Sequence, residues 1–403
     1  MKRSALLWIV SCLSLLSPKL LADEKPVDGP NGKVAAMLRK MRAWVYFDNK
    51  DPQRPIDKIH AINGKITDEH LASLKELPKL RIPEIHQNRI TDEGLAHLKN
   101  LTTLEELNIN HTKVTDKGLD HLKALTKLRK LCLPNLITDA GVAKIKGFNK
   151  LEVLYLGNRV ANDGLKHLQG LTHLKELRLY GGKYDDEGLA HLKALTNLEM
   201  LYLSGNQVTD KGLAHLQALT KLQEIRIGSR KVSGVGFKSL SKLTQLEELD
   251  LSYVPITGEG LAAIGSLSSL KELKLRGVQA KFQDPDLAHL KKLSSLRNLD
   301  LLGTKITDQG LTHLKGLKNL YRLDLSYTKI TDEGLAKLRD LPKLRRLYLF
   351  KTEITDAGIK HLKELKNLNH VYLVQSKVTN VGLTELAKAL PKASIIPRPK
   401  KEK

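Results

Sequence analysis

An α/β solenoid, bent as a horseshoe with a parallel sheet on its concave side and helices on its convex side, is the fold this chain predicts. Three observations predict it. Leucines recur at Leu80, Leu104 and Leu128, and again at Leu198, Leu222, Leu246 and Leu270, a period of 24 residues. Each opens a Leu-x-x-Leu-x-Leu phrase, which in most units is followed by Ile/Val-Thr-Asp-x-Gly-Leu-x-x-Leu. Within a unit the apolar spacing changes from every second residue to every third, the mark of a short strand followed by a short helix.

In Leu104-x-x-Leu107-x-Ile109 the apolar residues alternate with polar ones, as in a strand with one buried face. Thr115 and Asp116 then start a helix, and Leu119, Leu122 and Leu125 form its apolar stripe. One strand and one helix cannot bury these leucines alone; stacked neighbours bury them as one core. A period of this length carrying this phrase is the leucine-rich-repeat signature, and counting from Ile56 there are about 14 repeats of 24 residues. The spacing slips to 23 at Leu151 and Leu174 and stretches to 26 before Leu296. Gly94, Gly118, Gly141 and Gly164 precede the first helix leucine, where close helix–strand approach is expected.

Met1-Lys2-Arg3, an apolar run and Ala22 before Asp23-Glu24 read as a signal peptide over 1–22. The apolar run is too short to span a bilayer. Residues 23–55 are expected to be a flexible lead-in followed by an amphipathic cap over 34–47. The repeats fill 56–391, and 392–403 reads as a basic disordered tail. Cleavage after Ala22 removes Cys12 and leaves Cys132 without a disulfide partner. The formal charge of +23 falls to about +20 once Lys2, Arg3 and Lys19 are gone. Much of the excess lies in the helix phrase, at Lys99, Lys123, Lys193, Lys315 and Lys363, so the convex face is a possible seat for an anionic polymer. No motif for specific nucleic-acid binding is present.

The phrase Ile/Val-Thr-Asp-x-Gly-Leu-x-x-Leu after Leu-x-x-Leu-x-Leu resembles the cysteine-containing type of leucine-rich repeat. That type is found in F-box substrate receptors of ubiquitin ligases, and a similar unit occurs in bacterial secreted repeat proteins. Where that type often has cysteine, this chain has Asn88, Thr112, Asn206, Thr304, Thr328, Thr352 or Ser376, side chains able to hydrogen-bond along the turn. The resemblance implies a recognition scaffold that binds a macromolecule on its concave face. A ubiquitin-ligase-like adaptor is the alternative if the amino terminus is not a signal.

Catalytic, metal and cofactor sites are not expected. His97, His121, His167, His191, His215, His289, His313 and His361 repeat one helix position and do not converge. His60, His86 and His111 step across different strand positions near Glu84, Glu106 and Cys132. Cys132 occupies a strand-middle position, expected to be exposed.

The middle position of each strand forms one concave column, from His60 to Tyr372. Two partner-binding patches are expected. One comprises Tyr155, Arg178, Tyr180, Tyr202 and Arg226; the other comprises Tyr321, Tyr348, Phe350 and Tyr372. Asp250, Asp300 and Asp324 between them are expected to select a basic segment of a protein partner. Tyrosine and arginine are enriched at binding hot spots, and a solvent-facing strand position does not need them for folding.

Overall fold

The computed structural model describes residues 29–62, 64–277 and 280–400. The expected signal segment over 1–22 lies outside the described residues. Among those described, sixteen strands pair in strict chain order, from Trp44–Phe47 to Ser394–Ile396, in one open sheet. All neighbours are parallel except the first pair, in which Trp44–Phe47 runs antiparallel to Ile56–His60. Short α-helices and 3₁₀ turns alternate with the strands, so the expected α/β horseshoe repeat is the fold observed.

The core is a single file. Leu104, Leu107, Ile109, Leu119, Leu122 and Leu125 of one repeat are wholly buried, and equivalents follow in every later repeat. The turn residues close each repeat. Asn88 donates to Ala61 O (2.6 Å) and Ile85 O (3.0 Å), while its Oδ1 accepts from Ile66 N (2.9 Å). Thr112, Thr304, Thr328 and Thr352 each donate to the carbonyl three residues before, at 2.6–2.8 Å. These buried donors therefore satisfy carbonyls that strand pairing leaves open.

The Thr-Asp-x-Gly phrase does more than start a helix. Asp68, Asp92, Asp116, Asp186, Asp284, Asp308, Asp332 and Asp356 each accept from both the backbone N and the Oγ1 of the threonine beginning the next helix. The glycine in that next helix makes room for the carboxylate: a Cβ on Gly94 would lie 2.1 Å from Asp68 Oδ1. The tight approach is thus to the carboxylate of the preceding repeat rather than to a strand. The ladder lapses where Gly234 replaces aspartate. Thr257 N turns instead to Ser233 O (2.9 Å), and a Cβ on Gly260 would lie 2.1 Å from that same oxygen.

Both ends differ from expectation. Residues 34–47 are not one amphipathic segment: a helix spans Gly29–Lys40, reaching back into the expected lead-in, and a strand spans Trp44–Phe47. Val34, Ala35, Leu38, Ala43 and Val45 bury themselves against the first repeats. At the carboxyl end, Ser394–Ile396 is no disordered tail but a strand paired parallel with His370–Tyr372. Ile395 is buried there, which supplies the apolar contact that a reading of net charge overlooked.

Candidate functional site

The middle column is in register. Tyr155 pairs with Arg178, Arg178 with Tyr202, Tyr202 with Arg226, and Arg226 with Asp250. Strands about 4.8 Å apart bring such side chains face to face, and the result is an alternating stack. The Arg178 guanidinium lies 4.6 Å from the Tyr155 ring centre and 4.3 Å from that of Tyr202; Arg226 lies 4.9 Å from Tyr202. Tyr155 donates its hydroxyl to Glu176 and Tyr202 donates to Glu224, each at 2.7 Å. Burial, together with these carboxylates, pushes both phenols up from their ordinary range. Tyr180 sits edge-on to Tyr155 at 6.4 Å and is exposed.

At the carboxyl end Tyr348 and Tyr372 stack at 4.6 Å and 14°, with Arg322 4.6 Å from the Tyr348 ring. Phe350 packs at 5.1 Å against Tyr327. Tyr321 stands apart from this stack, beneath Arg346 at 5.7 Å. The second expected patch is therefore three separate contacts: Tyr348 with Tyr372, Phe350 with Tyr327, and Tyr321 with Arg346.

Several middle-column residues do not face solvent as expected. Tyr202 is only 6% exposed, and Asp300 and Asp324 only 5%. Tyr202 lies between Arg178 and Arg226, and Asp300 and Asp324 lie side by side between Lys274 and Tyr348. Asp300 pairs with Arg276 at 2.5 Å; Asp324 accepts from Ser326 N at 3.0 Å. Burial and the adjacent Asp300 raise the pKa of Asp324. Asp250 accepts from Ser252 Oγ at 2.6 Å and meets Arg226 at 3.2 Å. These three carboxylates are already engaged within the sheet, so selection of a basic segment has little free charge to use. Cys132 is buried too, and desolvation pushes its thiol up to about 12, contrary to an exposed reactive thiol.

At the amino end Glu84 accepts from His60 (2.6 Å) and Lys58 (3.2 Å). The His60 hydrogen bond leads in holding Glu84 down at about 2, while burial lowers His86. Among the described residues no group of three or more His, Cys, Asp or Glu could hold a metal ion.

Two features were missed from the sequence. The column two residues before the middle one is segregated by charge: Glu224, Glu248 and Glu272 lie in register, then Asn298, Arg322 and Arg346. Burial, then repulsion by Glu224 and Glu272, lifts Glu248 to about 7. The same 24-residue spacing would have found this column had it been read alongside the middle one. Three residues beyond the middle position the backbone is left-handed in repeat after repeat. Gly181, Gly205, Gly277 and Gly303 occupy it in four repeats, Gln87, His111, Lys351 and Gln375 in four more, and Tyr253 (φ 65°) and Tyr327 (φ 56°) in two others. They are 60% and 48% exposed.

Models of the leucine-rich repeat match residues 294–354 and, separately, 100–122, 194–216 and 242–265. No curated protein matches the chain. Among solved structures, an internalin from Listeria monocytogenes is 23% identical with a TM-score of 0.60, over 84% of this chain and 94% of its own. A leucine-rich-repeat protein from Leptospira interrogans is 24% identical with a TM-score of 0.56, over 80% of each chain. The mouse RP105/MD-1 complex contains a chain 17% identical with a TM-score of 0.57, over 87% of this chain and 73% of its own. Repeat phrase, sheet and likeness agree: this chain is a solenoid of leucine-rich repeats.

Proposed function

We propose that this chain is an exported protein-binding scaffold, acting by contact rather than by catalysis, whose partner lies along the concave face and its strand-exit rim. One observation carries the reading. Tyr253 and Tyr327 hold bulky rings in solvent on a left-handed backbone, at a position filled elsewhere by Gly277 and Gly303 and by the polar Gln87, His111, Lys351 and Gln375. Such a conformation costs a bulky residue roughly 1–3 kcal/mol, and in return Tyr327 gains only the contacts of Phe350 and Lys351 at its ring. Exposed tyrosine is a favoured contact residue.

The interlocked Tyr155–Arg178–Tyr202–Arg226 stack then serves as a rigid floor, with Tyr180 and Arg226 presenting its accessible parts. Rigidity lowers the ordering cost of association. Export follows the amino-terminal pattern, and no helix of the described residues is long and apolar enough to cross a membrane. The similar mouse chain is seen in complex with MD-1, which is in keeping with a fold that binds proteins.

The test is affinity capture on the protein starting at Asp23, with wild type beside Tyr253→Gly/Tyr327→Gly. Partners held through this rim should weaken by more than about 2 kcal/mol in the variant, with a melting temperature no lower than that of wild type. Equal retention by both proteins would defeat the rim reading. Retention that disappears with modest salt and with Lys99→Gln/Lys123→Gln would favour an anionic polymer on the convex face.

A further inference from the structure

A cleft of about 520 Å³ opens beside the entry ends of the strands Asn298–Asp300, Arg322–Asp324 and Arg346–Tyr348. It lies on the opposite side of the sheet's strand ends from Tyr253 and Tyr327. Arg297, Arg322, Lys343 and Arg346 line it, with no carboxylate among the described lining residues. Asn298, Asn319 and Tyr321 complete the wall.

The balance of charge is unusual for this sheet. Elsewhere the concave cations are matched: Arg178 meets Glu176 at 2.5 Å, Arg276 meets Asp300 at 2.5 Å, and Lys274 meets Glu272 at 2.7 Å. In the cleft the best match is Arg322 to Asp324, stretched to 3.9 Å. Among the described residues Lys343 has only the neutral Asn319 carbonyl, at 2.7 Å. Arg346 packs on the Tyr321 ring, and its Nε is buried with no acceptor among the described residues. Arg322 and Arg346 also stand in register on adjacent strands, where like charges repel.

We propose that this cleft binds a ligand carrying a tetrahedral oxyanion, a phosphate or sulfate group. A monoanionic carboxylate offers two oxygens and one charge. Three guanidinium forks and an ammonium offer many more donors than that, and a tetrahedral group with three or four acceptor oxygens uses them. The volume exceeds that of a bare oxyanion, leaving room beside Tyr321 and the two asparagines for the group that bears it. Neither the protein-binding reading nor the convex lysines enter this inference.

The test is titration calorimetry on the intact protein in low-salt buffer, with inorganic pyrophosphate, phosphate and sulfate as probes and chloride as reference. Saturable binding at one site is expected for pyrophosphate. Arg322→Gln and the mouth variant Arg297→Gln should each weaken it roughly tenfold or more, the loss of one charge-assisted contact. Lys99→Gln/Lys123→Gln and Tyr253→Gly/Tyr327→Gly should leave it unchanged. A preference between phosphate and sulfate would support the site and name the ester. Arg297 is exposed, so its variant keeps the fold even if Arg322→Gln does not. No saturable binding, equal binding by Arg297→Gln, or equal loss in the convex variant would overturn the proposal.

Discussion

The carboxylate of Asp92 reaches into the next repeat and holds Thr115 twice, Oδ1 accepting from the backbone N at 2.7 Å and Oδ2 from Oγ1 at 2.6 Å. Gly118 leaves the space for it, since a Cβ there would sit 2.5 Å from Oδ1. Asp92→Ala strands a backbone donor and should cost about 1–3 kcal/mol. Gly118→Ala should cost a similar amount by collision rather than by a lost bond. The two share one cause. Together they should destabilise by about 1 kcal/mol less than their sum, a coupling that urea unfolding of the four proteins would measure. Strict additivity would mean that glycine and carboxylate do not compete for the same space.

Cys132 should be chemically quiet. Burial raises its thiol from the ordinary 9.0 to about 12, which leaves about a thousandfold less thiolate at pH 8. In protein beginning at Asp23, an aromatic disulfide reagent should label this thiol only on unfolding. Prompt labelling of the folded protein would show that the strand opens locally there.

Glu248 makes stability depend on pH in the less common direction. Its folded pKa of about 7 lies above its ordinary 4.5, so between these values the folded chain binds more protons than the unfolded one. Stability from this group is full below about pH 4.5 and is lost as pH rises through about 7. Glu248→Gln fixes the neutral form. It should stabilise by about 1–2 kcal/mol at pH 8, allowing for solvent screening, and by almost nothing at pH 4. A gain equal at both pH values would point to packing rather than charge.

Periodicity made the core legible because burial in a solenoid repeats with the sequence: Leu201 and its equivalents are buried where their phase puts them. Exposure on the concave face was harder to read. A position pointing out of a sheet is not bare when Arg178 and Arg226 lie across its ring, and so Tyr202 is covered. Asp300 and Asp324 were misjudged for the same reason, since their cover comes from neighbours about 24 residues away. The Asp92–Thr115 bridge was half legible. Threonine and aspartate announce a helix start, but that the aspartate serves the following repeat depends on how two helices abut. The cleft at Arg322 and Arg346 escaped because it lies off the middle column.

Val34, Ala35 and Leu38 of the helix Gly29–Lys40 are buried, and the strand Trp44–Phe47 covers the edge of Ile56–His60. Removing residues 29–47 would bare Ile56, Ile59 and the leucines behind them, and would leave a strand edge unpaired. In a solenoid, stability is a sum over repeats and their interfaces, so this loss should act locally and spread inward. The truncated protein should run as larger species in size-exclusion chromatography and should show earliest loss of amide protection near Ile56–His60. A monomer as stable as the full chain would mean that the first repeat is self-sufficient and the cap serves another purpose.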